Sequence, residues 1–189
     1  MKKRMFKTIA AILLAGVFMT ACKKDTKPTE SNDEEIITTL KLNFTPISGG
    51  STISYQFEDA DGPGGENPIL QDIVLAPTQT YNVSVELLNK TTNPVTDITE
   101  EVAAESDAHR FYYEPTTASN ISVSGLNNDV NGIPLGITST WTTTNAANGK
   151  IKVTLRHYAG TPPNKATDDP VNSSKSASDI EVEFNTIVQ

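Results

Sequence analysis

Apolar and polar residues alternate with a period of two along most of the chain beyond residue 35. Such alternation gives a strand one buried face and one solvated face, so each alternating segment predicts a β-strand. Turn-forming Gly, Pro and Asn residues separate these segments, which is typical of antiparallel sheets packed face to face. The segments cover residues 36–44, 53–57, 81–87, 111–113, 121–123, 137–141, 151–155 and 180–184, with 69–75 as an additional candidate.

This succession of short strands predicts an all-β fold. We expect an antiparallel β-sandwich, Ig-like or jelly-roll-like, of about eight strands, with a closed β-barrel as the alternative. One segment, residues 97–105, has a different pattern. There Asp97 and Glu100 are spaced like a capping box, and Ile98 and Val102 lie four residues apart. This segment predicts one short helix across an end of the sandwich.

The first 22 residues have the layout of a secretory signal that ends in a lipid-attachment site. Four basic residues precede an apolar run over residues 8–19, and Ala21 then leads into Cys22, the only cysteine. The run is shorter than the ~20 residues that a membrane-spanning helix needs. We therefore predict a lipoprotein signal peptide over residues 1–21, with Cys22 as the lipidated mature N-terminus. Acyl chains such as palmitate contribute ~0.8 kcal/mol per buried CH2 and can hold a soluble domain at a membrane surface.

Composition changes again after the cysteine. Residues 23–35 contain no large apolar residue, so we expect residues 22–35 to be a disordered tether and residues 36–189 to form the β-sandwich domain. Removal of residues 1–21 takes away four of the 15 basic residues, leaving 11 against 23 acidic residues and a net charge of −12. An acidic surface repels phosphate backbones, which argues against nucleic-acid binding and leaves the lipid anchor as the contact with the membrane.

Few motifs in the chain suggest catalysis. Gly62-Pro63-Gly64-Gly65 is not followed by the helix that a phosphate-binding loop needs, and neither histidine has a marked serine partner. Two acidic residues could converge as they do in a glycosidase, but no feature of the sequence selects a pair. We therefore assign no catalytic residue.

Two acidic turns are candidates for Ca²⁺ binding. The first contains Asp59, Asp61 and Glu66, and the second spans residues 127–132 around Asp129. Closely spaced side-chain oxygens of this kind suit Ca²⁺, which takes six to eight oxygen ligands. The same residue types are also what tight β-connections require, so a purely structural role is the alternative.

The two histidines are the main candidates for a transition-metal site. His157 continues the alternation of residues 151–155 and His109 shares that of residues 111–113, so both are expected to point inward near the rim of the sandwich. Glu101, Glu105 and His109 are spaced by four, which would align them on a continued helix. Two imidazoles with a carboxylate suit a divalent transition metal, and the sequence suggests no cofactor other than a divalent metal. The alternative is that each histidine is simply hydrogen-bonded to a carbonyl or carboxylate at the rim.

The order of several segments resembles a family of small, uncharacterised Bacteroidota outer-membrane lipoproteins. The resemblance covers roughly residues 35–188 and includes IITTLKLNF, YNVSVELLN, ITEEVAAESDAHRFYY, GIPLGITSTWTT, IKVTLRHYAG and DIEVEF. It implies a lipid-anchored protein of the cell outer membrane, on its periplasmic or surface-exposed face, acting beside an outer-membrane receptor protein. It implies no activity and no site residues.

Three functions from different classes are therefore open. We favour a membrane-anchored, non-enzymatic lipoprotein that captures a ligand or metal beside an outer-membrane receptor. The second is a structural or adhesive surface module without a small ligand. The third, a hydrolase, is the least favoured.

Overall fold

A computed structural model describes residues 35–62 and 64–189 of the chain. The predicted signal peptide, the predicted lipidation site Cys22 and the predicted tether up to residue 34 lie outside the described residues. The described structure is therefore that of the predicted β-sandwich domain, together with Glu35.

The first sheet contains seven strands among the described residues. These are β1 (Thr39–Pro46), β2 (Ile53–Glu58), β3 (Ile69–Leu70), β5 (Thr80–Asn89), β6 (Thr96–Asp97), β8 (Ile121–Ser124) and β9 (Thr138–Thr143). Their spatial order is β3-β2-β1-β5-β9-β8, with β6 also pairing with β5, and every pair is antiparallel.

The second sheet contains β4 (Ile73–Leu75), β7 (His109–Pro115), β10 (Ala147–Tyr158) and β11 (Ser176–Val188). Their order is β4-β11-β10-β7, so β10 lies between the strands that begin at residues 109 and 176. The β4–β11 pair is parallel and the other two pairs are antiparallel. The predicted strand over residues 69–75 is divided between the two sheets, because the chain crosses from one to the other after β3.

The inner faces of the two sheets share one hydrophobic core. Trp141 on β9 meets Tyr113 on β7 across it, with ring centroids 5.7 Å apart. The largest fully buried side chains are at inward positions of the predicted alternation, including Trp141, Phe44, Phe111, Phe184, Leu40, Leu42, Ile151 and Leu155. The prediction of an all-β sandwich is confirmed, and within the described residues neither sheet closes into a barrel.

The predicted helix forms as α1 (Ile98–Ala104), and a short 3₁₀ turn (Thr117–Ser119) comes after β7. Asp97 is the N-cap of α1, where the carboxylate accepts a hydrogen bond from the Thr99 amide at 2.8 Å. Ile98 and Val102 are buried, so the apolar side of the helix packs on the core. The helix ends at its C-cap residue Glu105, and a tight turn leads to His109, the first residue of β7. The end of the helix therefore brings a carboxylate close to the start of a strand in the second sheet.

Candidate metal centre

The pairing of β7 with β10 brings the two histidines together. His109 and His157 are directly opposite each other in the antiparallel register, and their ring centroids are 4.5 Å apart. Both continue the apolar face of their strand, beyond Phe111 on β7 and Leu155 on β10. Two residues 48 positions apart in the chain thus form one pair at the end of the sheet.

The hydrogen bond of His109 determines which of its ring nitrogens carries the lone pair. Its Nδ1 lies 3.1 Å from the backbone carbonyl oxygen of Glu105, so Nδ1 carries the proton and Nε2 has the lone pair. The side chain is fully buried, and among the described residues Nε2 has no hydrogen-bond partner. Burial is the main cause that lowers the pKa of His109 to about 4, so the ring is neutral near pH 7. This is the tautomer and charge state in which a histidine binds a metal.

Glu105 places its carboxylate beside the two rings. Its backbone N–H donates to the Glu101 carbonyl at 3.0 Å, which ends the helix and fixes the start of the turn. One potential ligand atom from each of Glu105, His109 and His157 lies within 4.8 Å of the others. Ligand atoms that surround a tetrahedral ion at ~2.1 Å are about 3.4 Å apart. The three ligand atoms would therefore have to move closer together by little more than ~1 Å to bind one ion.

Asp179 is a fourth polar side chain at this site, and the sequence analysis did not identify it. Its Oδ2 lies 3.7 Å from His109 Nε2, and both side chains are fully buried. The register of β10 with β11 shifts here: Leu155 pairs with Ile180 but Arg156 pairs with Ser178, which leaves Asp179 as the extra residue of a β-bulge. A bulge changes the direction in which side chains point. Strict alternation would place the Asp179 carboxylate on the outer face, and this bulge turns it toward the histidines.

Glu101, also predicted as a ligand, does not belong to this group of atoms. It is exposed and lies one helical turn before Glu105, where its carboxylate is hydrogen-bonded to that of Glu35. Partial burial, and then the charges of Glu101 and Glu105, raise the pKa of Glu35 to about 7. The Glu35 carboxyl with this raised pKa therefore lies beside the site rather than within it.

The predicted Ca²⁺ ligands Asp59, Asp61 and Glu66 lie in the turn after β2. The Asp61 carboxylate accepts the Glu66 amide at 2.9 Å, and this hydrogen bond is the main cause that lowers the pKa of Asp61. Over the described residues, which exclude Pro63 of this turn, no group of three metal-capable side chains forms here. Asp61 thus has the structural role of closing the turn.

The second acidic turn, around Asp129, forms an ion pair with a lysine side chain of the same protein. Asp129 Oδ1 accepts hydrogen bonds from the amides of Asn131 and Ile133 at 2.8 and 2.9 Å. Asp129 Oδ2 lies 2.8 Å from the ammonium nitrogen of Lys165, and both side chains are almost completely buried. The positive charge beside this carboxylate therefore comes from the chain itself.

No protein-family model, curated protein or solved structure matches this chain. Over the described residues, no helix is both long enough and apolar enough to cross a membrane. The interpretation of the site accordingly rests on its own chemistry. Two imidazole nitrogens and the Glu105 carboxylate lie within 4.8 Å of one another, and the Asp179 carboxylate lies 3.7 Å from His109 Nε2.

Proposed function

We propose that this chain is a membrane-anchored, non-enzymatic lipoprotein whose β-sandwich captures a divalent transition-metal ion beside an outer-membrane receptor. Glu105, His109 and His157 would bind the ion, and Asp179 would complete the coordination. Lipidation of Cys22 would supply the anchor.

The observation that carries the metal proposal is the state of His109 Nε2. A buried polar atom normally has a hydrogen-bond partner, because leaving it unsatisfied costs roughly 1–3 kcal/mol. Among the described residues Nε2 has none, although its ring is fixed by the hydrogen bond from Nδ1 to Glu105. In a metal-binding histidine, one ring nitrogen commonly donates a hydrogen bond to a carbonyl oxygen, and the other nitrogen carries the lone pair that binds the metal. A bound cation would satisfy this lone pair.

The donor set favours a divalent d-block ion such as Zn²⁺. Imidazole nitrogen with carboxylate oxygen suits Zn²⁺, Ni²⁺ and Cu²⁺, whereas Ca²⁺ and Mg²⁺ prefer shells made of oxygen alone. Charge balance separately favours a divalent ion. Two ionised carboxylates, Glu105 and Asp179, would offset the charge of a 2+ ion, and a site with buried side chains favours low net charge.

Zinc titration of the purified protein tests the proposal. The Cys22→Ser form, free of lipid, should bind one Zn²⁺ per chain in competition with a fluorescent chelator. His157→Ala should abolish this binding, and His157 is the better histidine to remove because it is only half-buried and leaves a smaller cavity. Wild-type affinity no greater than that of His157→Ala would disprove the metal site.

The helix offers a matched control for the carboxylate. Glu105→Gln and Glu101→Gln remove the same charge at positions one turn apart, yet only Glu105 belongs to the group of ligand atoms. We expect Glu105→Gln to weaken Zn²⁺ binding at least tenfold and Glu101→Gln to change it less than threefold, in the same competition assay. Equal losses in both variants would mean that acidic charge attracts cations without a defined site.

Membrane anchoring is tested separately in cells. Cys22→Ser should move the protein from the membrane fraction to the soluble fraction, because acyl chains supply the membrane affinity. Continued sedimentation of the serine variant with membranes would contradict the proposed anchor and would leave the metal site unaffected.

A further inference from the structure

Lys165 is a buried lysine on the long connection from β10, which carries His157, to β11, which carries Asp179. Its side chain is 1% exposed and forms an ion pair with Asp129, which is fully buried. Removing one partner of such a pair leaves an uncompensated buried charge, whereas replacing both by apolar residues is often neutral for stability. A buried pair therefore needs an explanation other than stability.

The ammonium group of Lys165 is surrounded by oxygens from two separate segments. Its Nζ donates to the backbone carbonyls of Ser106 and His109 at 2.7 and 2.8 Å, and to that of Pro134 at 3.3 Å. Ser106 lies in the turn between α1 and β7 and His109 is the first residue of β7, while Pro134 and Asp129 lie in the loop between β8 and β9. The Lys165 ammonium thus links the α1–β7 turn and the β8–β9 loop to the connection between β10 and β11.

Two of the Lys165 contacts lie in the turn that carries the proposed ligands. Glu105 starts this turn and His109 ends it, and the amide of Ala108 donates to the Glu105 carbonyl at 2.9 Å. That same carbonyl accepts the Nδ1–H of His109, so the shape of the turn decides where Nε2 points. Holding Ser106 and His109 by their carbonyls fixes the turn on both sides of Ala108.

We infer that Lys165 is a positioning residue for the metal site, because its ammonium, paired with Asp129, holds the turn that aims Glu105 and His109. This inference rests on the proposed metal function and adds the group that preorganises the site. The acidic turn over residues 127–132 is, in this sense, a cation site that binds an internal ammonium rather than Ca²⁺. Outer-shell partners of this kind typically change metal affinity about 10- to 100-fold.

Each partner of the pair favours the charged form of the other. Burial lowers the pKa of Lys165, and the Asp129 carboxylate opposes that effect. Burial acts to raise the pKa of Asp129, yet the hydrogen bonds from Lys165 and from the Ile133 and Asn131 amides lower it overall. The three N–H donors of the ammonium also have enough acceptors, since three carbonyls and one carboxylate surround them.

The main test compares two lysines of the same connection. Lys165→Met should weaken Zn²⁺ binding about 10- to 100-fold in chelator competition. Lys175→Met, the matched control, removes a lysine that pairs with Asp169 at 2.7 Å but is 40% exposed, and should leave the affinity within threefold of wild type. Unchanged affinity in a folded Lys165→Met variant would overturn the inference.

A double variant guards against simple unfolding of Lys165→Met. Asp129→Leu combined with Lys165→Met replaces the ion pair by apolar residues and should restore the melting temperature toward that of wild type. Its Zn²⁺ affinity should stay low, because no ammonium holds the carbonyls of Ser106 and His109. A stable double variant with wild-type affinity would also overturn the inference.

Chemical rescue separates charge from packing. Lys165→Ala should regain Zn²⁺ affinity when propylammonium is added, since that cation can fill the vacated space and bind the same oxygens. Propanol, of similar size but uncharged, should give no recovery. Equal recovery with both additives would show that Lys165 acts by filling space, which contradicts a positioning role for its charge.

A measurement without metal keeps this inference distinct from the proposed function. In metal-free protein, hydrogen exchange at the Ala108 amide should be faster in Lys165→Met than in wild type and unchanged in Lys175→Met. If wild type binds no Zn²⁺ but this difference is present, the proposed function fails while Lys165 still positions the turn. If the exchange rates of all three proteins agree, the inference fails whatever the metal result.

Discussion

The two faces of the β10–β11 ribbon carry charged residues in contrasting surroundings. On the outer face Lys150 pairs with Glu183, and Lys152 pairs with Glu181 at 2.9 Å. The side chains of these four residues are between 38% and 52% exposed. On the inner face of the same two strands, His157 and Asp179 meet His109, and the side chains of His109 and Asp179 have no exposure at all.

This contrast shows what burial does to a charged cluster. Exposed cross-strand pairs are solvated by water and screened by salt, so each contributes little to stability. Buried ionisable groups lose that solvation and need a compensating partner, which makes clusters of them more common at functional sites. Two strands therefore carry a solubilising face and a candidate binding face, separated by the alternation of side chains and by the bulge at Asp179.

The effect of zinc on stability should separate the two faces most strongly. With free Zn²⁺ at about 1,000 times its dissociation constant, the free energy of unfolding should rise by about 4 kcal/mol, because the ion binds only the folded chain. Thermal unfolding with and without zinc measures this rise. His157→Ala should lose it, and Lys152→Met on the outer face should keep it. A similar rise in both variants would place zinc outside the candidate metal centre.

Acid should destabilise the metal-free protein through the inner face. The folded pKa of His109 is about 4, below its ordinary value of 6.5, so the unfolded chain takes up a proton first as the pH falls. His109 therefore contributes stability above pH 6.5 that is lost between pH 6.5 and 4, amounting to about 3 kcal/mol.

Urea unfolding in the presence of a chelator, at pH 7.5, 5.5 and 4.5, measures the acid effect. His109→Gln should flatten the pH dependence, since glutamine does not titrate. Glu35 has the opposite sign: its raised pKa contributes stability that is complete below about pH 4.5 and lost as the pH rises through about 7. Glu35→Gln should therefore remove a gain in stability between pH 7.5 and 5.5, and an unchanged profile in both variants would contradict the two assignments.

A weaker effect should distinguish two carboxylates on one strand. Asp179→Asn should weaken Zn²⁺ binding about tenfold, or ~1.4 kcal/mol, because it removes one charge from the proposed shell. Glu181→Gln, two residues further on and exposed, should change neither zinc affinity nor unfolding free energy by more than about 1 kcal/mol. Chelator competition and urea unfolding give the two values, and equal zinc affinities would remove Asp179 from the ligand set.

Much of the fold can be predicted from local patterns in the sequence. Alternation identified the strands and their buried faces, and the spacing of Asp97, Ile98 and Val102 predicted α1. Alternation also predicted that His109 and His157 point inward. Their direct pairing depends on which strand lies beside β10, and the chain alone does not specify that neighbour because the two residues are far apart in sequence.

The rest of the candidate site depends on departures from regular geometry. Glu101 and Glu105 are equivalent in spacing, and only the end of the helix at Glu105 distinguishes them. Asp179 faces inward because of a bulge, and its position just before Ile180 gives no sign of one. Lys165 and Asp129 are 36 residues apart on separate loops, so their pairing is a result of tertiary structure alone.

The position of β11 also affects how the domain folds. It is the last strand in chain order, yet it lies inside its sheet, antiparallel to β10 and parallel to β4. The β4 residues that pair with it stand 113 positions earlier. Pairing over such a separation must overcome a large loop-closure entropy and is intrinsically slow. Asp179 reaches His109 only once this strand has inserted, so the complete ligand set exists only in chains that have finished folding. If the proposed metal site binds Zn²⁺, the ion would stabilise chains in which β11 has inserted over chains in which it has not.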